Sequence, residues 1–319
     1  MAITVFHSPE DWNAQFGAAP GTALTVGNFD GLHLGHQKIL HSVVERARSR
    51  SLRAGVITFD PHPLCVLRPD RAPRMIQTLA QRLAGFDQIG LDAALALRFD
   101  HALSQVSAED FIRHILIDCL HVADMLVGSN FRFGHHGAGD VALLEEFGKR
   151  DGFAVETIPP VEIHGRVVSS TAIRSAVEAG NVAEAAALLG RPFSLTGEIH
   201  TGAARGRTIL FPTLNLVPEQ ELLPKLGVYA TETILDGRTY HSVTNVGTRP
   251  TFDGRDITVE SHLFGFNDQV TRGRMELRFH KHLRDEQKFS GPDELRAQIG
   301  RDIKAAQDYF SRGPGPQGV

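Results

Sequence analysis

The sequence predicts a two-domain α/β protein: a parallel sheet flanked by helices, then an antiparallel β-barrel or sandwich that ends in a helix. Three observations predict it. The first 190 residues alternate short buried β-runs with amphipathic helical patterns, which argues for a parallel sheet. Beyond Arg191-Pro192 the β-rich runs follow one another with no long helix between them. The last patterned stretch carries a single apolar helical stripe.

Taken in order, Ala23–Gly27, Ala54–Phe59, Ala94–Leu97, Ala123–Gly128 and Phe153–Ile158 are apolar runs of strand length. Ile39, Leu40, Val43, Val44 and Ala47 share one helical face, as do Phe111, Ile112, Ile115, Leu116 and Cys119. Two short helices span 171–190, with Gly180 and Gly190 as stops. The domains are therefore placed at 1–190 and 191–312. In the second, Phe193–Thr201, Val228–Leu235, Thr239–Val246, Thr258–Phe266 and Met275–His280 are strands, and Asp236-Gly237 is a hairpin turn. Leu295, Ile299, Ile303, Ala306 and Phe310 make the stripe of the final helix. The Gly/Pro-rich tail 313–319 is expected to be disordered.

Composition narrows the function. The chain has 319 residues, 42% hydrophobic and 22% charged, with a net charge of −4, which excludes disordered and collagen-like classes. Residues 1–190 carry 16 Lys+Arg against 21 Asp+Glu, and the remainder 17 against 16, so neither part is a basic nucleic-acid-binding body. No apolar run reaches the length of a membrane span, and the N-terminus lacks a signal-peptide pattern. Two cysteines are too few for a disulfide framework. The expected setting is cytoplasmic, with small-molecule partners, no nucleic acid and no membrane; the oligomeric state is not legible.

The sharpest local feature is GNFDGLHLGH, Gly27–His36, between the first strand and the first helix. Gly27, Gly31 and Gly35 permit a tight turn and a close backbone approach. A helix N-terminus after such a turn attracts phosphate through its free N–H groups, and His33 and His36 add two imidazole donors. A metal pair is the rival reading, but no carboxylate or cysteine stands at ligand spacing beside them. Two further segments fit an anionic ligand. Ser169, Ser170 and Thr171 can donate or cap at a helix start, and Arg174 can fork onto phosphate. Asn130 lies just past the fourth predicted strand, at the edge where such sheets present ligands. Its neighbours Phe131 and Phe133 are residue types found more often in cores.

The G-x-F-D-x-x-H-x-G-H pattern resembles the signature of the nucleotidylyltransferase superfamily, with its Rossmann-like fold. Phe59–Pro63 (FDPHP), Val127–Gly134 (VGSNFRFG) and Ser169–Arg174 (SSTAIR) resemble the prokaryotic FAD synthetase branch. In the second part, Gly202–Asn215 (GAARGRTILFPTLN), Asn245–Phe252 (NVGTRPTF), Val259–His262 (VESH) and Arg284–Phe289 (RDEQKF) resemble the riboflavin kinase module. The two together, over about residues 20–312, resemble the bifunctional prokaryotic riboflavin kinase/FAD synthetase family.

That resemblance implies two reactions: riboflavin plus ATP gives FMN, and FMN plus a second ATP gives FAD and pyrophosphate. It implies ATP contacts at Gly27, Asn28, Phe29, Asp30, Gly35, Ser169, Ser170, Thr171 and Arg174, and a second polyphosphate loop at Gly202, Arg205, Gly206 and Arg207. His33 and His36 would steady the triphosphate. Asn130 and Arg284 would meet flavin, Thr213 and Asn215 would hold Mg2+, and Glu260 would be the catalytic glutamate. A carboxylate inside a barrel is costly unless paired, so Glu260 is either an ion-pair partner or a general base. Two departures stand out in the kinase half: Leu210 where the family usually has glycine, and the 265–273 loop. Both suggest a weakened kinase. The alternatives are an FMN adenylyltransferase whose degenerate barrel only binds flavin, and a non-enzymatic flavin- or nucleotide-binding regulator.

Overall fold

Alternation of apolar side chains on two faces lets the first strands be buried on both sides. In the computed structural model, which describes residues 2–200, 212–251, 254–266, 268 and 270–312, the chain divides into two compact units, Met1–Ser170 and Thr171–Val319.

The first unit contains β1 (Thr4–Phe6), α1 (Pro9–Phe16), β2 (Thr22–Val26), α2 (Leu34–Arg50), β3 (Arg53–Asp60), α3 (Pro63–Leu67), α4 (Leu79–Ile89) and β4 (Ala93–Arg98). It continues with α5 (His101–Ser104), α6 (Ala108–Asp110), β5 (Val122–Gly128), α7 (Val141–Asp151) and β6 (Ala154–Ile158). A small hairpin, β7 (Glu162–Ile163) with β8 (Arg166–Val167), follows. The parallel sheet has the order β1-β4-β3-β2-β5-β6. Leu24, Val26, Ile57, Leu95, Met125 and Val127 turn to one face, where Trp12, Phe111, Leu116 and Phe147 cover them. Ala23, Ala54, Val56, Ala94 and Leu126 turn to the other, under Leu40, Val43 and Val44 of α2 and Phe86 of α4. Hence both faces are dry, as parallel sheets require.

Two elements differ from expectation. β1 adds an edge strand in register with Ala93–Leu95; three residues are too few to register as a period. Phe111–Cys119 is a π-helix rather than an α-helix, with the Leu120 N–H bonded back to Ile115 O at 2.9 Å. Its apolar residues still face the core, because the 3–4 spacing serves either helix over two turns.

The second unit begins earlier than the composition break suggests. α8 (Ser170–Glu178) and α9 (Val182–Leu189) group with the barrel, not with the sheet: Lys225 N–H bonds to Val177 O at 3.2 Å, and α9 packs on strands at 193–200 and 274–285. The compact units thus meet at 170, while the composition changes at 190. The barrel strands are β9 (Phe193–His200), β10 (Leu214–Pro218), β11 (Gly227–Leu235), β12 (Arg238–Thr251), β13 (Gly254–Leu263) and β14 (Arg274–Asp285), followed by α10 (Pro292–Ser311). They close in the order β10-β13-β12-β11-β14-β9, all antiparallel. β10 is additional to the expected set, and β12 and β14 run longer than their apolar cores.

Strand alternation fixes which side chains enter the barrel. Phe193, Leu195, Leu216, Val259 and Phe279 are buried there. Thr231, Thr233, Ser242, Thr244 and Ser261 are also fully buried, joined hydroxyl to hydroxyl at 2.6–3.1 Å. Mutual bonding makes these polar groups tolerable in a dry interior. On the outer face, Val228, Ala230 and Val243 pack against Ala306, Ile303 and Phe310 of α10.

At Gly197 on β9 a Cβ would overlap the carbonyl of Val217, on the paired strand β10. Backbone cannot rotate away as a side chain can. Gly197→Ala is expected to cost about 1–3 kcal/mol, seen as a lower midpoint in thermal or denaturant unfolding; a wild-type midpoint would show that the two strands separate freely.

Candidate functional site

In the first unit, β2 continues to β3 on one side of the sheet, while β5 lies on the other. The strand order thus reverses at β2, and open α/β sheets bind ligands beyond the carboxyl ends of the strands at such a point. Two predicted segments end there: the turn 27–33 after β2, and Asn130 after β5. Gly128 lies against Ile39 of α2, which brings the two close.

The turn is strongly bent. Phe29, Gly31 and Leu32 have φ of 49°, 90° and 44°. His33 then caps α2: its Nδ1 accepts the His36 N–H at 3.2 Å. An acceptor Nδ1 leaves Nε2 to carry the imidazole proton, so a neutral His33 presents Nε2–H as a donor. The His33 and His36 rings stack at 3.6 Å, and Gly35 has no Cβ to press on the His33 ring. Leu34 and Gly35, the first residues of α2, have N–H groups without partners among the described residues. They are the orphan donors that make a helix start attract anions. His36 Nδ1 is likewise covered and unpartnered. Burial, with His33 beside it, holds the His36 imidazole well below the ordinary histidine pKa.

Several expected ATP contacts are occupied otherwise. Asp30 is buried, and its carboxylate accepts the N–H groups of Ile76 and Gln77 at 3.0–3.1 Å. It braces the turn. The Ser170 hydroxyl donates to Asp30 O at 2.9 Å, so its proton is also spent on the turn. Asn28 keeps its side chain near His62, with Nδ2 to Nε2 at 3.0 Å. Gly27 faces the Phe29 ring. Asn130 is exposed, whereas Phe133 is core and Phe131 half-buried on it. Ser169 is half-buried just ahead of α8. Thr171 and Arg174 lie on α8, in the second unit.

In the second unit the register assembles a polar row on the barrel's outer face. Asn215, Glu260 and Asn245 are direct neighbours on β10, β13 and β12, and the row continues through Val228 to Arg284. Glu260 is therefore outside the barrel, not inside; its neighbours Val259 and Ser261 are the buried ones. It lines a cavity of about 340 Å3 with Thr213, Asn245, His262, Glu286 and the α10 residues Leu295 and Ile299, a size suited to a small organic ligand. The Glu260 carboxylate has no hydrogen bond or ion pair among the described residues.

Arg284, expected to meet flavin, lines the same cavity and also has a structural task. Its Nε and Nη2 grip the buried Asp302 carboxylate at 2.8–3.2 Å, and Nη1 donates to Asp285 O. This bidentate pair pins α10 beside the cavity, which Arg284 and Asp302 both line. Gly202, Arg205, Gly206, Arg207 and Leu210 lie outside the described residues, as do residues 267, 269 and the tail 313–319.

Three contributors were not among the expected site residues. Arg82 is buried behind the turn. His262 Nδ1–H donates to Pro212 O at 2.9 Å and holds the segment that bears Thr213. Asp302 was discoverable, since it is a carboxylate between Ile299 and Ile303 on the apolar side of α10.

The family model for FAD synthetase matches residues 16–172, and that for riboflavin kinase matches 189–310. Among curated relatives, the bifunctional riboflavin kinase/FMN adenylyltransferase of Escherichia coli K12 is 38% identical over 91% of this chain and 93% of its own. That of Pseudomonas fluorescens is 37% identical over 90% and 92%. A solved structure described as a macrolide-efflux protein from Streptococcus pneumoniae matches 97% of this chain and 99% of its own, at 29% identity and a TM-score of 0.86. Among the described residues, no helix is long and apolar enough to cross a membrane.

The state of His36 has a consequence for stability. The folded protein keeps it neutral where the unfolded chain takes up a proton, near pH 6.5. More protons on the unfolded chain mean that stability falls as pH drops through that value. Burial lowers His282 in the same direction. Moving from about pH 7.5 to about pH 5.5 should lower the melting temperature, and His36→Gln should shrink that fall without removing it. An identical fall in both proteins would contradict the buried, neutral state of His36.

Proposed function

The chain belongs to the bifunctional riboflavin kinase/FMN adenylyltransferase family, and from that premise we propose which residues carry each step. The protein phosphorylates riboflavin to FMN with ATP, and joins FMN to the adenylyl group of a second ATP, releasing pyrophosphate.

We assign adenylyl transfer to the first unit. The observation that carries this is the pair of unpartnered N–H groups at Leu34 and Gly35 beneath two stacked histidines. A phosphate oxygen of FMN attacks the α-phosphorus of ATP; the bond from that phosphorus to the bridging oxygen breaks, and pyrophosphate leaves. The nucleophile is already an anion, so no protein base is needed. Catalysis then reduces to positioning and to stabilising the charge that gathers on the leaving group. The α2 N–H groups, His33 Nε2–H and His36 supply fixed donors for it. Asp30 and Ser170 act behind them by holding the turn. Thr171 and Arg174 are retained as ATP ligands on the motif alone, and Asn130 as a flavin contact.

Phosphorylation belongs to the barrel's outer groove. Glu260 takes the proton from the primary hydroxyl of riboflavin as that oxygen attacks the γ-phosphorus and ADP leaves. Its unpartnered carboxylate in a cavity of ligand size supports this role. Thr213 and Asn215 offer neutral hard oxygens on the same face, beside that carboxylate, a donor set that suits Mg2+. When bound there, Mg2+ offsets charge on the transferring phosphate. Asp302 and Arg284 keep α10 closed over the flavin.

Each half is expected to fail alone. His36→Ala should abolish FAD formation and spare FMN formation from riboflavin; near-normal FAD synthesis would remove the phosphate assignment. Glu260→Gln keeps the shape but cannot accept a proton at neutral pH. It should depress FMN formation while FAD synthesis from supplied FMN persists, and a folded Glu260→Gln with wild-type kinase turnover would rule out the base role.

A further inference from the structure

One buried cation takes no part in the chemistry above. Arg82, in the first turn of α4, is 1% exposed. Burying a guanidinium without full pairing is expensive, yet its nearest carboxylate oxygen, on Asp60, is 3.5 Å away, and its Nε is unpartnered. Its main acceptors are neutral. Nη1 lies 2.9 Å from Asn28 O, 2.9 Å from Thr58 Oγ1 and 3.1 Å from Phe59 O. The Thr58 hydroxyl passes its own proton to Asn28 O at 3.2 Å. The Asn28 carbonyl is therefore held by two donors.

A trans peptide points its C=O and the following N–H in opposite directions. Fixing the Asn28 carbonyl toward Arg82 turns the Phe29 N–H away from it. That N–H has no hydrogen-bond partner among the described residues, although Phe29 is only 3% exposed. A flipped peptide would instead present an oxygen to any anion in the turn. The same stretch of chain shapes the rest of the turn: Ile76 and Gln77 hold Asp30, the Ile76 side chain occupies the space a Cβ at Gly31 would need, and Gly85 makes room for Leu32.

We propose that Arg82 is a positioning residue for adenylyl transfer, locking the Asn28–Phe29 peptide so that the Phe29 N–H joins those of Leu34 and Gly35 as a donor to the triphosphate of ATP. This rests on the reading of the turn as the triphosphate site. Its effect falls on ATP and not on FMN, and not on the kinase, whose residues lie in the other unit.

The test is steady-state FAD synthesis from FMN and ATP by the full-length chain, with riboflavin phosphorylation measured on the same preparations. Arg82→Met, which keeps the stem and removes every donor, should raise the KM for ATP in adenylylation by about tenfold or more. The KM for FMN and the rate of riboflavin phosphorylation should stay within about twofold. Arg82→Lys should recover part of the loss, and Thr58→Val should shift the KM for ATP in the same direction. A folded Arg82→Met with unchanged KM for ATP, or with lowered thermal stability as its only defect, would overturn the proposal. Where Arg82→Met does not fold, Thr58→Val and Arg82→Lys decide by the same KM for ATP. His36→Ala run in parallel separates the two levels. If it still makes FAD, the triphosphate reading itself fails; if it does not, and the Arg82 variants keep their KM for ATP, only the role of Arg82 fails.

Discussion

Phe29 and Leu32 sit at φ of 49° and 44°, a region that residues with a Cβ occupy at a cost of order 1–3 kcal/mol each. The turn is kept there by groups that are themselves buried: the Asp30 carboxylate on the amides of Ile76 and Gln77, the Ser170 hydroxyl on Asp30 O, and the Arg82 guanidinium on Asn28 O. Each tie turns backbone polarity inward on one side of the turn. The other side is left with donors that nothing in the described fold uses. The proposed site depends on this division, because strand order and helix packing fix only the switch point; the turn decides which polar groups stand there.

The barrel solves the equivalent problem by register. A strand that alternates in and out sends Ser261 into a closed hydroxyl network and Glu260 to the opposite face. A one-residue slip would exchange them, burying an unpaired carboxylate. Pairing across three strands then brings Asn215, Glu260 and Asn245 side by side, and the Arg284–Asp302 pair sets α10 as the far wall of the groove.

Much of this was legible in the chain. The four central strands, β2 to β5, were visible because both faces are buried, and the turn because glycines and histidines concentrate between a strand and a helix. β1 and β10 were not visible as strands, being too short to show a period. That α8 and α9 group with the barrel was not legible, because in sequence they look like a continuation of the alternating pattern. Within the sites, residue types were legible and commitments were not. Asp30, Ser170 and Arg284 have the chemistry of ligand contacts, and each also bonds within the protein. Whether such a group is free depends on partners 18 to 140 residues away, which no local pattern encodes. Arg82 reads as an ordinary helical arginine until the fold buries it.

The central claim is that the Phe29, Leu34 and Gly35 amides receive the triphosphate, and amide resonances report it directly. On 15N-labelled full-length protein, titration with α,β-methylene ATP and Mg2+ in the absence of flavin should move the Phe29, Leu34 and Gly35 amide resonances downfield together with saturable occupancy. If those three amides stay in place while the nucleotide binds elsewhere, the turn is not the triphosphate site and the account of the first unit is wrong.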